Sequence, residues 1–190
     1  MPTKNILCFG DSLTAGYGLG NPGMESYPAL IGQRIMAAQF DYHVINAGYS
    51  GDTSAGGLSR IDYWISRPVA IFVLELGIND ILRGIPPQNM QNNLQLIISK
   101  VKVKYPAVRM IMMGMQIPAF LHSPFTEQFN NIYPALARNN NMTLVPDFLE
   151  GVAGKARLNQ RDRIHPNADG YKVTAENVWP VFEKVILQQA

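Results

Sequence analysis

A chain of 190 residues with 47% hydrophobic and 16% charged residues can build a packed core and lies far from the composition of disordered segments. Its net charge of +2 comes from scattered Lys and Arg, with only the mild Lys100, Lys102, Lys104 group, which excludes a nucleic-acid partner from the expectations. The single cysteine, Cys8, allows no internal disulfide, and no apolar run approaches the roughly 18 residues that a membrane-spanning helix needs.

Nothing asks for a second domain, so residues 1–190 are expected to form one unit. Met1-Pro2-Thr3-Lys4 leads straight into apolar sequence without the hydrophobic stretch of a secretory signal. The expectation is a cytoplasmic protein as the chain stands, or a periplasmic or secreted one if a signal was removed.

The first predicted strand is Ile6-Leu7-Cys8-Phe9, apolar without alternation, as suits a parallel strand covered on both faces. It stops at Gly10, expected to free the backbone for a sharp turn, and delivers Asp11 and Ser12. Residues 16–23 hold enough Gly, Asn and Pro for an irregular loop before a helix over 26–39. Residues 42–46 form a short second strand, followed by a polar loop through Gly48 and Gly51 to Thr53, which caps a helix ending near Ser66. Residues 69–76 are the strongest strand, apolar apart from Glu75, and end at Gly77-Ile78-Asn79-Asp80. A helix over 88–104 buries Leu94, Ile97, Ile98 and Val101 at helical spacing. A methionine-rich fourth strand covers 108–115, a helix interrupted near Pro134 covers 126–139, and a brief fifth strand covers 143–146. Pro166 is expected in the first turn of a last helix reaching Leu187, kinked near Pro180. Strands alternating with helices predict an α/β fold, a five-stranded parallel sheet with helices on both faces.

Ligands of such sheets gather outside the carboxyl ends of the strands, where Ser12 lies. Near the other end of the chain, Asp162-Arg163-Ile164-His165-Pro166 places a carboxylate three residues before an imidazole that a proline holds extended. The carboxylate can accept from one ring nitrogen, fixing the tautomer, and leave the other nitrogen to take a serine proton. Acyl transfer also needs donors for the developing oxyanion. The candidates are the backbone N–H groups of Ser12 and Gly48 and the side-chain amide of Asn79. Taken singly, a serine after a strand can merely cap a helix, Gly48 can be a turn glycine, and Asp80 can be an ordinary cap.

Together these blocks resemble the GDSL, or SGNH, hydrolases, in order and over nearly the whole chain. Gly10-Asp11-Ser12-Leu13 is similar to their signature block, Gly48 to the glycine block, Gly77-Ile78-Asn79-Asp80 to Gly-x-Asn-Asp, and Asp162 with His165 to Asp-x-x-His. Ser50-Gly51-Asp52-Thr53, Leu82-Arg83-Gly84 and His165-Pro166-Asn167 resemble the bacterial arylesterase, thioesterase I and lysophospholipase L1 group. The resemblance implies the three-layer, flavodoxin-like α/β/α sandwich of that family. It implies Ser12 as nucleophile, His165 as base, Asp162 as its orienter, Ser12, Gly48 and Asn79 as oxyanion hole, and no metal or cofactor. The activity implied is hydrolysis of small carboxylic esters through an acyl-enzyme. A thioesterase or lysophospholipase would share the same triad, and a non-catalytic ligand- or carbohydrate-binding module would share the fold. Ile78 and Arg163 stand where a second glycine and a small or neutral residue are common in that group.

Asp11, Tyr17, Tyr49 and Ile78 are candidates for substrate contact. So are Ile117, Pro118 and Phe120, in an apolar loop that either packs over the sheet or lines the acyl pocket. Gly16, Gly18 and Gly20 lack the spacing of a dinucleotide fingerprint, and His43 and His122 lack partners at metal-ligand spacing.

Overall fold

The strands β1 (Lys4–Gly10), β2 (Tyr42–Gly48), β3 (Ile71–Glu75), β4 (Arg109–Met113) and β5 (Thr143–Val145) form one parallel sheet in the order β2-β1-β3-β4-β5. The coordinates are those of a computed structural model, and they describe residues 4–117 and 123–188. All five residues of β3 and the last five of β1 are buried, which explains why these segments read as unbroken apolar runs: helices cover both of their faces. On one face α3 (Tyr27–Ala37) packs against α8 (Ala168–Leu187); on the other, α4 (Ser54–Trp64), α6 (Pro87–Lys104) and α7 (Pro124–Asn139) pack in succession. The result is a three-layer α/β/α sandwich. Among the described residues no helix is long and apolar enough to cross a membrane.

Three short helices escape a periodicity reading: α1 (Ser12–Ala15), α2 (Pro22–Glu25) and α5 (Ile78–Leu82). Each is four or five residues long, too short to show a 3.6-residue repeat, and α2 begins inside the stretch expected to be an irregular loop and fills the gap before the next helix. The last helix starts at Ala168 with Asn167 as its cap, so Pro166 lies outside it, bridged instead to Asn159. Pro134 is accommodated inside α7.

The strand order reverses between β1 and β3, and that switch point positions the site. Gly10 is in register with Gly48 on one side and with Glu75 on the other, so three strands end level. Gly10 does not have a positive φ; its missing side chain leaves room for the Glu75 carboxyl, whose Oε2 would sit 2.4 Å from a Cβ. The sharp turn expected at Gly10 is made by Asp11 (φ −100°, ψ −142°).

Candidate active site

Ser12 opens α1 directly after the central strand, and the Asp11 carboxylate caps that helix by accepting from the Leu13 N–H at 3.0 Å. As the first residue of a helix, Ser12 has no intrahelical acceptor for its own N–H. Its Oγ lies 2.8 Å from Nε2 of His165, across 153 positions of sequence, and Nδ1 of the same ring lies 2.6 Å from Oδ2 of Asp162. With Asp162 accepting from Nδ1–H, the Nε2 lone pair faces the Ser12 hydroxyl.

The loop carrying the acid and the imidazole is held from several sides. Asp162 Oδ1 accepts from the N–H groups of Ile164 and His165, Gln160 N–H donates to the His165 carbonyl at 2.8 Å, and Gln160 Nε2 donates to the Tyr17 carbonyl at 2.6 Å. The Tyr17 ring lies 4.9 Å from the imidazole, centroid to centroid. Arg163, with φ +63°, sits in the left-handed region, where a Cβ is strained. That backbone demand is the physical reason a small residue suits the position. Slight burial works against ionisation of Asp162, but the His165 N–H, the imidazole and the Ile164 N–H outweigh it and lower the carboxyl to about 2.

The residue matched to the glycine block is used differently from the expectation. Gly48 ends β2, its N–H donates to Asn46 Oδ1 at 2.9 Å, and a Cβ there would fall 2.1 Å from the Ala15 nitrogen. It is a packing glycine that lets α1 lie against the sheet, with its donor already engaged. Three residues on, Tyr49–Asp52 forms a turn closed by the Asp52 N–H on the Tyr49 carbonyl at 3.1 Å, with Gly51 at φ +80°. This is the backbone of a type II turn, which requires such a residue at its third position. Asn79, in the first turn of α5, donates from Nδ2 to the Asp52 carbonyl at 2.9 Å and to Asp11 Oδ2 at 3.1 Å. Gly51, adjoining Asp52, is therefore the turn residue next to Asn79. The sequence signal for it is Ser50-Gly51-Asp52-Thr53.

Residues 8–173 match the GDSL-like Lipase/Acylhydrolase family. The chain belongs to this family. Among its relatives is the esterase TesA of Pseudomonas aeruginosa, 36% identical over 184 residues that cover 96% of this chain and 90% of the relative. The thioesterase 1/protease 1/lysophospholipase L1 of Escherichia coli K12 is 37% identical, covering 90% of this chain and 79% of the relative. Among solved structures, the psychrotrophic esterase EstA from Pseudoalteromonas, described as inhibited by monoethylphosphonate, superposes with a TM-score of 0.85 at 31% identity, covering 95% and 97% of the two chains.

Asp11, expected to contact substrate, is fully buried in this family member, both oxygens engaged by Leu13 and Asn79, and it offers no surface to a ligand. Tyr17 and Tyr49 are exposed, the first against His165 and the second beside the Gly51 turn. Ile78 is half-buried against the core next to Asn79. The Ile117 side chain is half-buried against the core, and its backbone is pinned to the Asn130 side chain at 2.9 and 3.2 Å. Pro118, Phe120 and His122 lie outside the described residues. Asp80 caps another element: its carboxylate accepts from the Ser54 N–H and hydroxyl at 2.8 and 2.5 Å, fastening α5 to the start of α4.

Beneath the serine lies a second carboxyl that the sequence marked only as an exception in an apolar strand. Glu75 Oε2 accepts from the Thr14 hydroxyl at 2.7 Å and the Asp11 N–H at 3.2 Å, while Oε1 is buried without a hydrogen-bond partner among the described residues. Burial pushes Glu75 up from 4.5 to about 7, and burial together with the Glu75 charge raises Asp11 as well. A carboxyl raised in this way binds its proton more tightly in the fold than in the unfolded chain. Its stabilisation is full below pH ~4.5 and is lost as the pH climbs to about 7, by roughly 3 kcal/mol at most. Glu75→Gln, which mimics the protonated form, is expected to flatten that part of the decline. Urea midpoints of both proteins from pH 4.5 to 7.5 check it, and parallel curves would contradict it.

Proposed function

We propose that the chain is a serine esterase that hydrolyses small carboxylic esters through an acyl-enzyme on Ser12. The observation that carries the reading is the continuous chain from Asp162 through His165 to Ser12, at 2.6 and 2.8 Å. In the first step Ser12 Oγ attacks the ester carbonyl carbon while Nε2 of His165 takes its proton; the tetrahedral oxyanion collapses, and the alcohol leaves with that proton. In the second, His165 takes a proton from water, the resulting hydroxide attacks the acyl carbon, and Ser12 leaves with the proton restored. Asp162 keeps the tautomer and stabilises the imidazolium. For the oxyanion, the donors in this reading are the N–H groups of Ser12 and Gly51 and one N–H of Asn79, exchanged from its longer contact with Asp11.

No cofactor enters either step. Two readings share this chemistry: an aryl or short alkyl esterase, and the thioesterase or lysophospholipase suggested by the name of the Escherichia coli relative. The exposed aromatic rims of Tyr17 and Tyr49 suit a small aryl group beside the triad. Side-by-side kcat/KM values for an aryl acetate, a medium-chain acyl-CoA and a lysophospholipid check the ranking, with the aryl ester expected first. A non-catalytic module on this fold would turn over none of them.

A further inference from the structure

Arg60 lies eight residues beyond Asp52, on α4, and its guanidinium makes three different contacts. Nε donates to Asp52 Oδ2 at 2.6 Å, Nη1 to the Ala47 carbonyl at 2.8 Å and Nη2 to the Gly10 carbonyl at 2.8 Å. The side chain is mostly buried, with its plane over the Phe9 ring at 4.0 Å. Those acceptors are the last carbonyl of β1, the next-to-last carbonyl of β2 and the side chain at the far end of the Gly51 turn.

Both feet of that turn rest on groups Arg60 holds. The Tyr49 N–H that begins it donates to the same Gly10 carbonyl, at 3.0 Å, and Asp52, which ends it, is the residue whose carbonyl takes the Asn79 amide. The Gly10 carbonyl is also two residues from Ser12. One planar fork therefore fixes the β1 end that leads to Ser12 against the Gly51 turn, and Asn79 joins them through the Asp52 carbonyl at the end of that turn. A lysine would bring the charge but not three donors fixed in one plane.

We infer that Arg60 is the positioning residue of the oxyanion hole, setting the mutual geometry of its three donors without touching substrate. This rests on the esterase reading and on Gly51 as a donor. A displacement of about 1 Å in such a constellation costs on the order of 100-fold in rate, and loss of one donor about 100- to 1000-fold. The expected kcat loss from removing the fork is accordingly about 10- to 100-fold, with KM nearly unchanged, because the hole acts on the tetrahedral state rather than on the bound ester.

The test compares wild type, Arg60→Lys and Arg60→Met on an aryl acetate, each normalised to active sites titrated with a phosphonate, with Ser12→Ala, which has no hydroxyl to phosphonylate, normalised to protein concentration. The inhibition constant of an aryl trifluoromethyl ketone, whose hemiketal alkoxide would occupy the hole, is measured in parallel. Arg60→Met leaves the Asp52 carboxylate unpaired, and it can fail to fold. Arg60→Lys keeps a cation there and supplies the decisive readings. The expected result is a kcat per titrated site at least tenfold below wild type in Arg60→Lys, matched by a proportional rise in the ketone inhibition constant. A smaller loss, or a loss with ketone affinity unchanged, overturns the role and leaves Arg60 as a structural ion pair. Absence of Ser12-dependent turnover in wild type would instead overturn the esterase reading, which the Ser12→Ala arm detects separately.

Discussion

Ser12→Ala is expected to lower ester turnover by on the order of 10⁴-fold or more while the protein stays folded. The loss follows from chemistry: without Oγ no acyl-enzyme forms, and whatever remains comes from oxyanion donors and substrate binding. The fold survives because, among the described residues, Ser12 Oγ has a single partner, Nε2 of His165, and alanine is a better helix former at the start of α1. The cap of that helix is Asp11, which the change does not touch. Turnover of an aryl acetate, with circular dichroism and a melting curve on the same sample, measures both halves. Retention of more than about a hundredth of wild-type turnover would remove Ser12 from the mechanism.

A loss of about 10³- to 10⁴-fold in kcat is expected for Asp162→Asn, with little effect on stability. An asparagine keeps one oxygen where Oδ1 accepts from the Ile164 and His165 N–H groups, so the loop is still built. The amide nitrogen then stands where Oδ2 accepts from Nδ1 and donates to the ring instead. The imidazole switches tautomer, Nε2 carries the hydrogen, and the Ser12 proton has nowhere to go. The result to look for is a kcat collapse with a melting temperature within a few degrees of wild type. A variant with kcat within tenfold of wild type would show that Asp162 does not set the tautomer.

Much of this was legible without coordinates, for a definite reason. β1 and β3 are buried on both faces, so their apolar runs needed no periodicity to be read, and the residues that follow them had to emerge at the carboxyl edge of the sheet. Ser12, Asn79 and the Asp162–His165 pair were legible because strand ends and the histidine-proline step are local signals. Other features depend on contacts between distant segments. Gly48 and Gly51 look alike as letters, yet one yields space to Ala15 and the other adopts φ +80°. Asp11 beside the serine looked like a substrate contact, because nothing local announces that Glu75 and Asn79 close over it. Arg60 carried no motif at all, and its meaning lies in three acceptors, two at strand ends and one at the end of the Gly51 turn.

The 153 positions that separate Ser12 from its imidazole have a consequence for the order of folding. All five strands lie before residue 146, so the sheet can form with the serine in place before the loop that carries its base has docked. Throughout that interval the hydroxyl is an ordinary alcohol. In the esterase reading, hydrolysis begins only when the His165 loop docks, which makes activity a reporter of that docking rather than of sheet formation.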